Sequence, residues 1–275
     1  MKVYKAFCSF EMRRASRRSM STKIWHIILL LVFLFFPKRY KAITLLYAWF
    51  RVVDDVIDEE LEMPTGYDVY SYIQQKQSLI DGKGTNLLKE DIMYLSALQI
   101  LSQKDINLNQ EIKDLLLAMK KEYFSKGKFV KRAEFESKIL LQDRAVLMML
   151  VKVHSNNYGP LDPILFDFFT RVDALMDIEE DIKRGVINIP LEDAISMGIN
   201  IYKPLSFEIL TRNKKFREWY IREVDRAIIK SIKIHQIMKE RQEFFLLKIV
   251  FDILGIKNRL EALKKSPFLF LIKEY

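Results

Sequence analysis

The chain has 275 residues, enough to bury a substantial core as one large domain or two small ones, and its balance of 50% hydrophobic to 29% charged residues excludes a disordered chain. Only 8 Gly and 7 Pro punctuate it, which favours long helices over many short strands, and the single Cys8 excludes a disulfide framework and a cysteine-based zinc cluster. The formal charge of +9 is concentrated at one end: residues 1–41 hold ten of the 45 bases and one of the 36 acids, which leaves 35 of each in residues 42–275.

Residues 1–20 read as a basic arm, suited to nucleic acid, anionic lipid or phosphate, and residues 21–275 as the helical domain. Met12 and Met20 are alternative starts. The twelve residues Trp25–Phe36 are apolar except for His26. They are too few to span a bilayer, which takes about 20. They resemble a signal-peptide core, but Pro37-Lys38-Arg39 follows where a small-residue cleavage site belongs. A buried core helix and a membrane-seated one fit this run equally. With the lone cysteine they point to the cytoplasm, with a peripheral seat on the inner face of the cell membrane.

After Pro37, apolar Ile43, Leu46, Phe50, Val53 and Ile57 recur at helical spacing and predict a helix over 38–60. The Met63–Gly66 turn ends it, and Asp68 is placed to cap a helix to about Ile80. The loop Asp81–Asn86 follows, then expected helices over 89–102, 109–125 and 133–155. After the break at 154–160, one long helix is expected from Pro163 to Lys183, then an extended link between Gly185 and Pro190. Residues 205–275 read as two or three charged amphipathic helices, on which Lys230, Lys233, Lys239 and Arg241 form a solvated face. No repeat and no alternating strand appears, so the fold class is all-α, a helical bundle with ligand sites between facing helices.

Two constellations carry chemistry. On the first helix Asp54 and Asp58 stand one turn apart and share a face, with Arg51 and Tyr47 one and two turns earlier on the same stripe. Like charges at that spacing repel by about 0.2–0.5 kcal/mol, so a cationic partner is expected. Mg²⁺ is suited to it, because it typically takes one or two carboxylates plus substrate phosphates. Further on, Asp173, Asp177 and Asp181 form a column of three turns with Glu180 beside them, downstream of Phe166, Phe169 and Thr170. That face passes from aromatic to acidic along its length, the polarity of a prenyl diphosphate. A lone pair of aspartates on a helix is ordinarily a solvated face; two such pairs embedded in apolar sequence shift the balance toward a metal site. His26, His154 and His235 share no spacing, and Gly82 and Gly84 lack the strand and helix of a dinucleotide loop.

Phe36–Ala42 leading into Leu46–Asp58, together with Asp177–Asp181, Arg184-Gly185 and Ile189-Pro190, resembles the two motif regions of squalene and phytoene synthases, at a similar separation. The resemblance implies a single-domain isoprenoid-synthase bundle with a central cavity, and head-to-head condensation of two prenyl diphosphates: geranylgeranyl diphosphate to phytoene, or farnesyl diphosphate to squalene or dehydrosqualene. It implies Mg²⁺, or Mn²⁺, held by Asp54, Asp58, Asp177 and Asp181, with Asp173 joining them. Arg51 would contact a diphosphate oxygen, and Tyr47 and Arg184 would line the substrate. NADPH, which separates squalene-type from phytoene-type products, is left open, as is the oligomeric state.

This chain departs from that pattern at several points. Asp173 stands where the family has Asn, Met176 and Val186 where it has Arg, Asn188 and Lys138 where it has Tyr, and Asp143-Arg144-Ala145 replaces a small-residue segment. Two other readings stay open. One is a head-to-tail prenyl diphosphate synthase, since Asp54-Asp55-x-x-Asp58 also fits its motif. The other is a non-catalytic relative serving in membrane-associated assembly. Nucleic acid is not an expected partner, because an apolar run and not a reading module follows the arm.

Overall fold

The computed structural model describes residues 38–154, 159–241 and 256–265, with positions 244, 248 and 252. The basic arm and the Trp25–Phe36 run lie outside the described residues. Among the described residues all regular structure is helical: α1 (Lys38–Ile57), α2 (Val69–Ile80), α3 (Asp91–Ser102), α4 (Asn109–Ser125), α5 (Arg132–His154), a 3₁₀ turn (Pro163–Asp167), α6 (Phe169–Met176), α7 (Ile178–Lys183), α8 (Leu191–Ser196), α9 (Phe207–Arg212), α10 (Lys214–Glu240) and α11 (Ile256–Lys265). The chain divides into two compact units, residues 1–119 with 148–158, and residues 120–147 with 159–275.

In the first unit α1 is buried on most of its circumference, including Leu45, Leu46, Trp49, Phe50, Val53 and Ile57. It packs on α3, where the Trp49 and Tyr94 rings lie 4.8 Å apart and the indole Nε1 donates to Asp91 Oδ1 at 3.0 Å. Asp91 is itself buried because Lys76 of α2, with no exposed surface, donates to Asp91 and to Glu90 at 2.6 Å each. The Tyr72 hydroxyl adds a bond to Glu90 at 2.9 Å. As the sequence predicts, Asp68 caps α2: its carboxylate accepts from Ser71 N at 2.7 Å, and the Ser71 hydroxyl accepts from Asp68 N at 2.9 Å. At the far end of α1 the chain turns out through Glu59, in the left-handed conformation at φ 64.

In the second unit the expected single helix over 163–183 is three segments. Phe168 leaves helical geometry (φ −129, ψ −57) between the 3₁₀ turn and α6. Asp177 takes the bridge conformation (φ −105, ψ 12) between α6 and α7. The first break is held by Asp143 of α5, whose buried carboxylate accepts from Phe168 N at 2.7 Å, Thr170 N at 2.9 Å and the Thr170 hydroxyl at 2.6 Å. An acid reaching in from another helix thus caps the start of α6, where the backbone N–H groups lack partners. Phe216 and Tyr220 of α10 are buried, and the Tyr220 hydroxyl bonds the Leu175 carbonyl at 2.9 Å. The solvated face expected on α10 is corrected at Lys230, which reaches Asp167 at 2.7 Å, and just beyond the helix at Arg241, which holds the Pro160 carbonyl at 2.8 Å.

Candidate functional site

The first acidic turn closes α1. Tyr47, Arg51, Asp54 and Asp58 are half-buried, while Ala48, Trp49, Phe50, Val52, Val53, Val56 and Ile57 around them are buried, so one polar stripe runs along the C-terminal half of the helix. Asp58 remains on that stripe, for its N–H bonds the Asp54 carbonyl at 2.8 Å one residue past the helix end. Asp54, Asp55 and Asp58 therefore crowd the negative end of the helix dipole, and the last turn of α1 has no basic residue. Arg51 answers from one turn back: Nη1 lies 2.9 Å from Asp54 and Nη2 3.7 Å from Asp55. Burial opposes the arginine's charge, but Asp54, Tyr47, Asp55 and Glu60 outweigh it and hold the guanidinium above its ordinary value. Arg51 Nε is buried and makes no hydrogen bond to the described residues.

The second acidic turn spans the α6–α7 break. The aspartate column survives the break because the helical bonds continue through it: Asp177 N bonds Asp173 O and Asp181 N bonds Asp177 O, both at 2.8 Å. Asp173 and Asp177 are exposed and Asp181 is half-buried. Burial pushes the Asp181 carboxyl up to about 7; Glu122 and Asp177 push the same way, while a hydrogen bond from Asn188 and the charge of Arg184 oppose them. The Asn188 Nδ2 donates to Asp181 Oδ2 at 2.7 Å. Arg184 reaches back to pair with Glu180. Phe166 and Phe169, expected on one stripe with the acids, are separated from each other by the break at Phe168.

Asp54 and Asp58 lie in the first unit and Asp173, Asp177 and Asp181 in the second. Among the described residues no three His, Cys, Asp or Glu side chains converge as a ready-made metal cage. The donor sets suit a cation that arrives with its ligand: oxygen donors only, spaced one turn apart. The buried Arg51 Nε suits the same ligand, because an unsatisfied charged donor is matched by a phosphate oxygen. Glu122, one of the acids acting on Asp181, carries no sequence signal; it lies on α4, far from either motif. No described helix is long and apolar enough to cross a membrane.

No protein-family model and no curated protein sequence matches the chain. Its structure is similar to the crystal structure of a dehydrosqualene synthase in complex with ligand, with a TM-score of 0.62, 14% identity, and coverage of 96% of this chain and 88% of that one. At that identity the likeness is one of fold, and the all-α architecture expected from the sequence is the architecture found.

Proposed function

We propose that this chain is a prenyltransferase of the squalene/phytoene synthase type, joining two prenyl diphosphates head to head. The observation that supports it best is the pairing of a dehydrosqualene-synthase fold over nearly the whole chain with two acidic turns, each on helical backbone. Asp54 and Asp58 would hold one Mg²⁺–diphosphate, and Asp177 and Asp181, with Asp173 a turn before them, the other. Mn²⁺ meets the same oxygen donors. The bound cation supplies Lewis-acid stabilisation of the leaving diphosphate. Arg51 donates to a diphosphate oxygen through Nε while its Nη atoms stay on Asp54 and Asp55, so it adds positive charge where negative charge develops. Arg184, which pairs with Glu180 beside the second turn, would meet the second diphosphate. Tyr47 lines the approach beside Arg51. Ionisation would leave an allylic cation, which apolar helix walls would have to shield from water.

The test is incubation of the full chain with farnesyl or geranylgeranyl diphosphate, Mg²⁺, and NADPH present or absent. A neutral hydrocarbon with release of both diphosphates, abolished reversibly by EDTA, is the expected result, and the NADPH arm reads out whether reduction follows. A longer product that keeps its diphosphate would make the chain a head-to-tail synthase. No diphosphate release from either substrate would leave a non-catalytic relative.

A further inference from the structure

Residues from three distant stretches of sequence converge on Asp181. The Lys138 ammonium of α5, only 8% exposed as a residue, donates to Glu122 Oε2 of α4 at 2.9 Å and to Asn188 Oδ1 at 3.2 Å. Asn188 Nδ2 in turn donates to Asp181 Oδ2 at 2.7 Å. The direction of this chain of bonds is set by chemistry. An ammonium can only donate and a carboxylate can only accept, so the amide between them must turn its oxygen to Lys138 and its nitrogen to Asp181. The link that carries Asn188 is itself fastened on both sides. Gly127 N bonds Gly185 O at 2.6 Å, and Leu191 N bonds Val130 O at 2.8 Å. Gly185 sits at φ 80, a conformation side chains rarely adopt, which lets the link leave α7.

Lys138 and Asn188 are two of the positions at which this sequence departs from the squalene/phytoene synthase pattern. Met176 and Val186 are two more, each where that pattern has an arginine. Two arginines of that pattern are thus replaced by apolar residues, and Lys138 brings a cation to Asn188 from the core. We propose that Lys138 is a positioning residue for this turn: through Asn188 it holds the Asp181 carboxylate by Oδ2 and leaves Oδ1 as the atom that meets a magnesium diphosphate. The inference rests on the reading of Asp177 and Asp181 as a diphosphate site. A carboxylate held by a fixed partner keeps one orientation before ligand arrives, so less ordering is left to the binding step. Glu122 keeps the ammonium in place from the other side.

The test is calorimetric titration of the full chain with inorganic diphosphate and Mg²⁺, in an Asp54→Ala parent so that the second turn alone reports. Lys138→Met and Asn188→Ala should each weaken binding about tenfold, the scale of one charge-assisted hydrogen bond. The double variant should be no weaker than the worse single one, because both cut the same chain of bonds. Lys138→Arg, which restores a cationic donor at the same position, should recover part of the loss. Should Lys138→Met fail to fold, Asn188→Ala carries the comparison, because it leaves Lys138 paired with Glu122. Unchanged binding in both single variants, or losses that add in the double, would overturn the role of Lys138 and leave the diphosphate site standing. A parent that takes up no magnesium diphosphate would overturn the site itself and this inference with it.

Discussion

At Lys76 the ammonium has no exposed surface and is shared between Glu90 and Asp91 at 2.6 Å each. Burial and the Glu90 carboxylate hold the Tyr72 phenol above its ordinary value, so it stays protonated and donates to Glu90. The same Asp91 receives the Trp49 indole, one turn and a residue before Asp54, so the cluster also sets the seat of α1 and of its polar stripe. Removing one member of such a cluster strands the others without their countercharge. Lys76→Met should therefore lower unfolding stability by about 3–5 kcal/mol, read from denaturant titration. The triple change Lys76→Met, Glu90→Gln and Asp91→Asn should recover part of that, because no unpaired charge is then left inside. A single variant within 1 kcal/mol or so of wild type would mean that water reaches the cluster. Nothing in the sequence marks Lys76 as buried: it stands in a polar helix among glutamines, and its partners lie 14 and 15 positions away. The candidate site was legible to the same extent and no further. Asp54, Asp58, Asp177 and Asp181 declare themselves because their partners are one helical turn away. Glu122 and Asn188 do not, because they meet Lys138 across 16 and 50 positions, a distance only the tertiary fold closes.

The segment 163–183 shows the same limit for whole elements. Its apolar period is helical throughout, and period alone cannot see the two residues, Phe168 and Asp177, that leave helical geometry. The first break is held from outside by Asp143, the second by helical bonds that run on through it. By contrast, 109–125 was fully legible, since polar residues flank an uninterrupted amphipathic period. The short α8 carries a helix-start signal in Pro190, Glu192 and Asp193, but at six residues it is too short to show a helical apolar period. Where the 3₁₀ turn ends, Asp167 joins two helices: Arg171 Nε of α6 lies 2.7 Å from one carboxylate oxygen and Lys230 of α10 2.7 Å from the other. Burial would raise this carboxyl, but Lys230 and Arg171 prevail and hold it below its ordinary value. A carboxyl lowered in the folded state stabilises the fold fully above its unfolded value, about 3.9, and loses that contribution as pH falls through the folded value. Asp167→Asn should therefore lower the melting temperature at pH 7, by no more than about 2–4 °C for a half-exposed pair. The gap between variant and wild type should close below about pH 4 in melts followed by circular dichroism. A gap that is the same at pH 7 and pH 3 would assign the effect to packing and not to charge.

Across the whole chain, charge is segregated: residues 42–275 balance 35 bases with 35 acids, and the excess lies in 1–41. A neutral body with a cationic end has a defined electrostatic handle, and an anionic membrane surface attracts each lysine or arginine near it by about 1 kcal/mol. The Trp25–Phe36 run follows the arm directly, too short to span a bilayer but long enough to lie in its interface. Of the described helices none is long and apolar enough to cross one. The proposed product, a hydrocarbon, has nowhere to go in water, so an enzyme held at the surface would release it into lipid. The full chain should therefore float with vesicles of anionic lipid and not with neutral ones. Replacing Arg13, Arg14, Arg17 and Arg18 by Gln should remove about 4 kcal/mol of attraction and leave most of the protein at the bottom of the gradient. Salt should mimic that change, because screening shortens the reach of each charge to about 3 Å at 1 M. Flotation that is equal for the two proteins, and equal at low and high salt, would take the arm out of the account and assign membrane binding to the apolar run alone. An arm that leaves anionic vesicles for duplex DNA in direct competition would reverse the choice of partner, because both surfaces offer phosphate and only the lipid also accepts the apolar run.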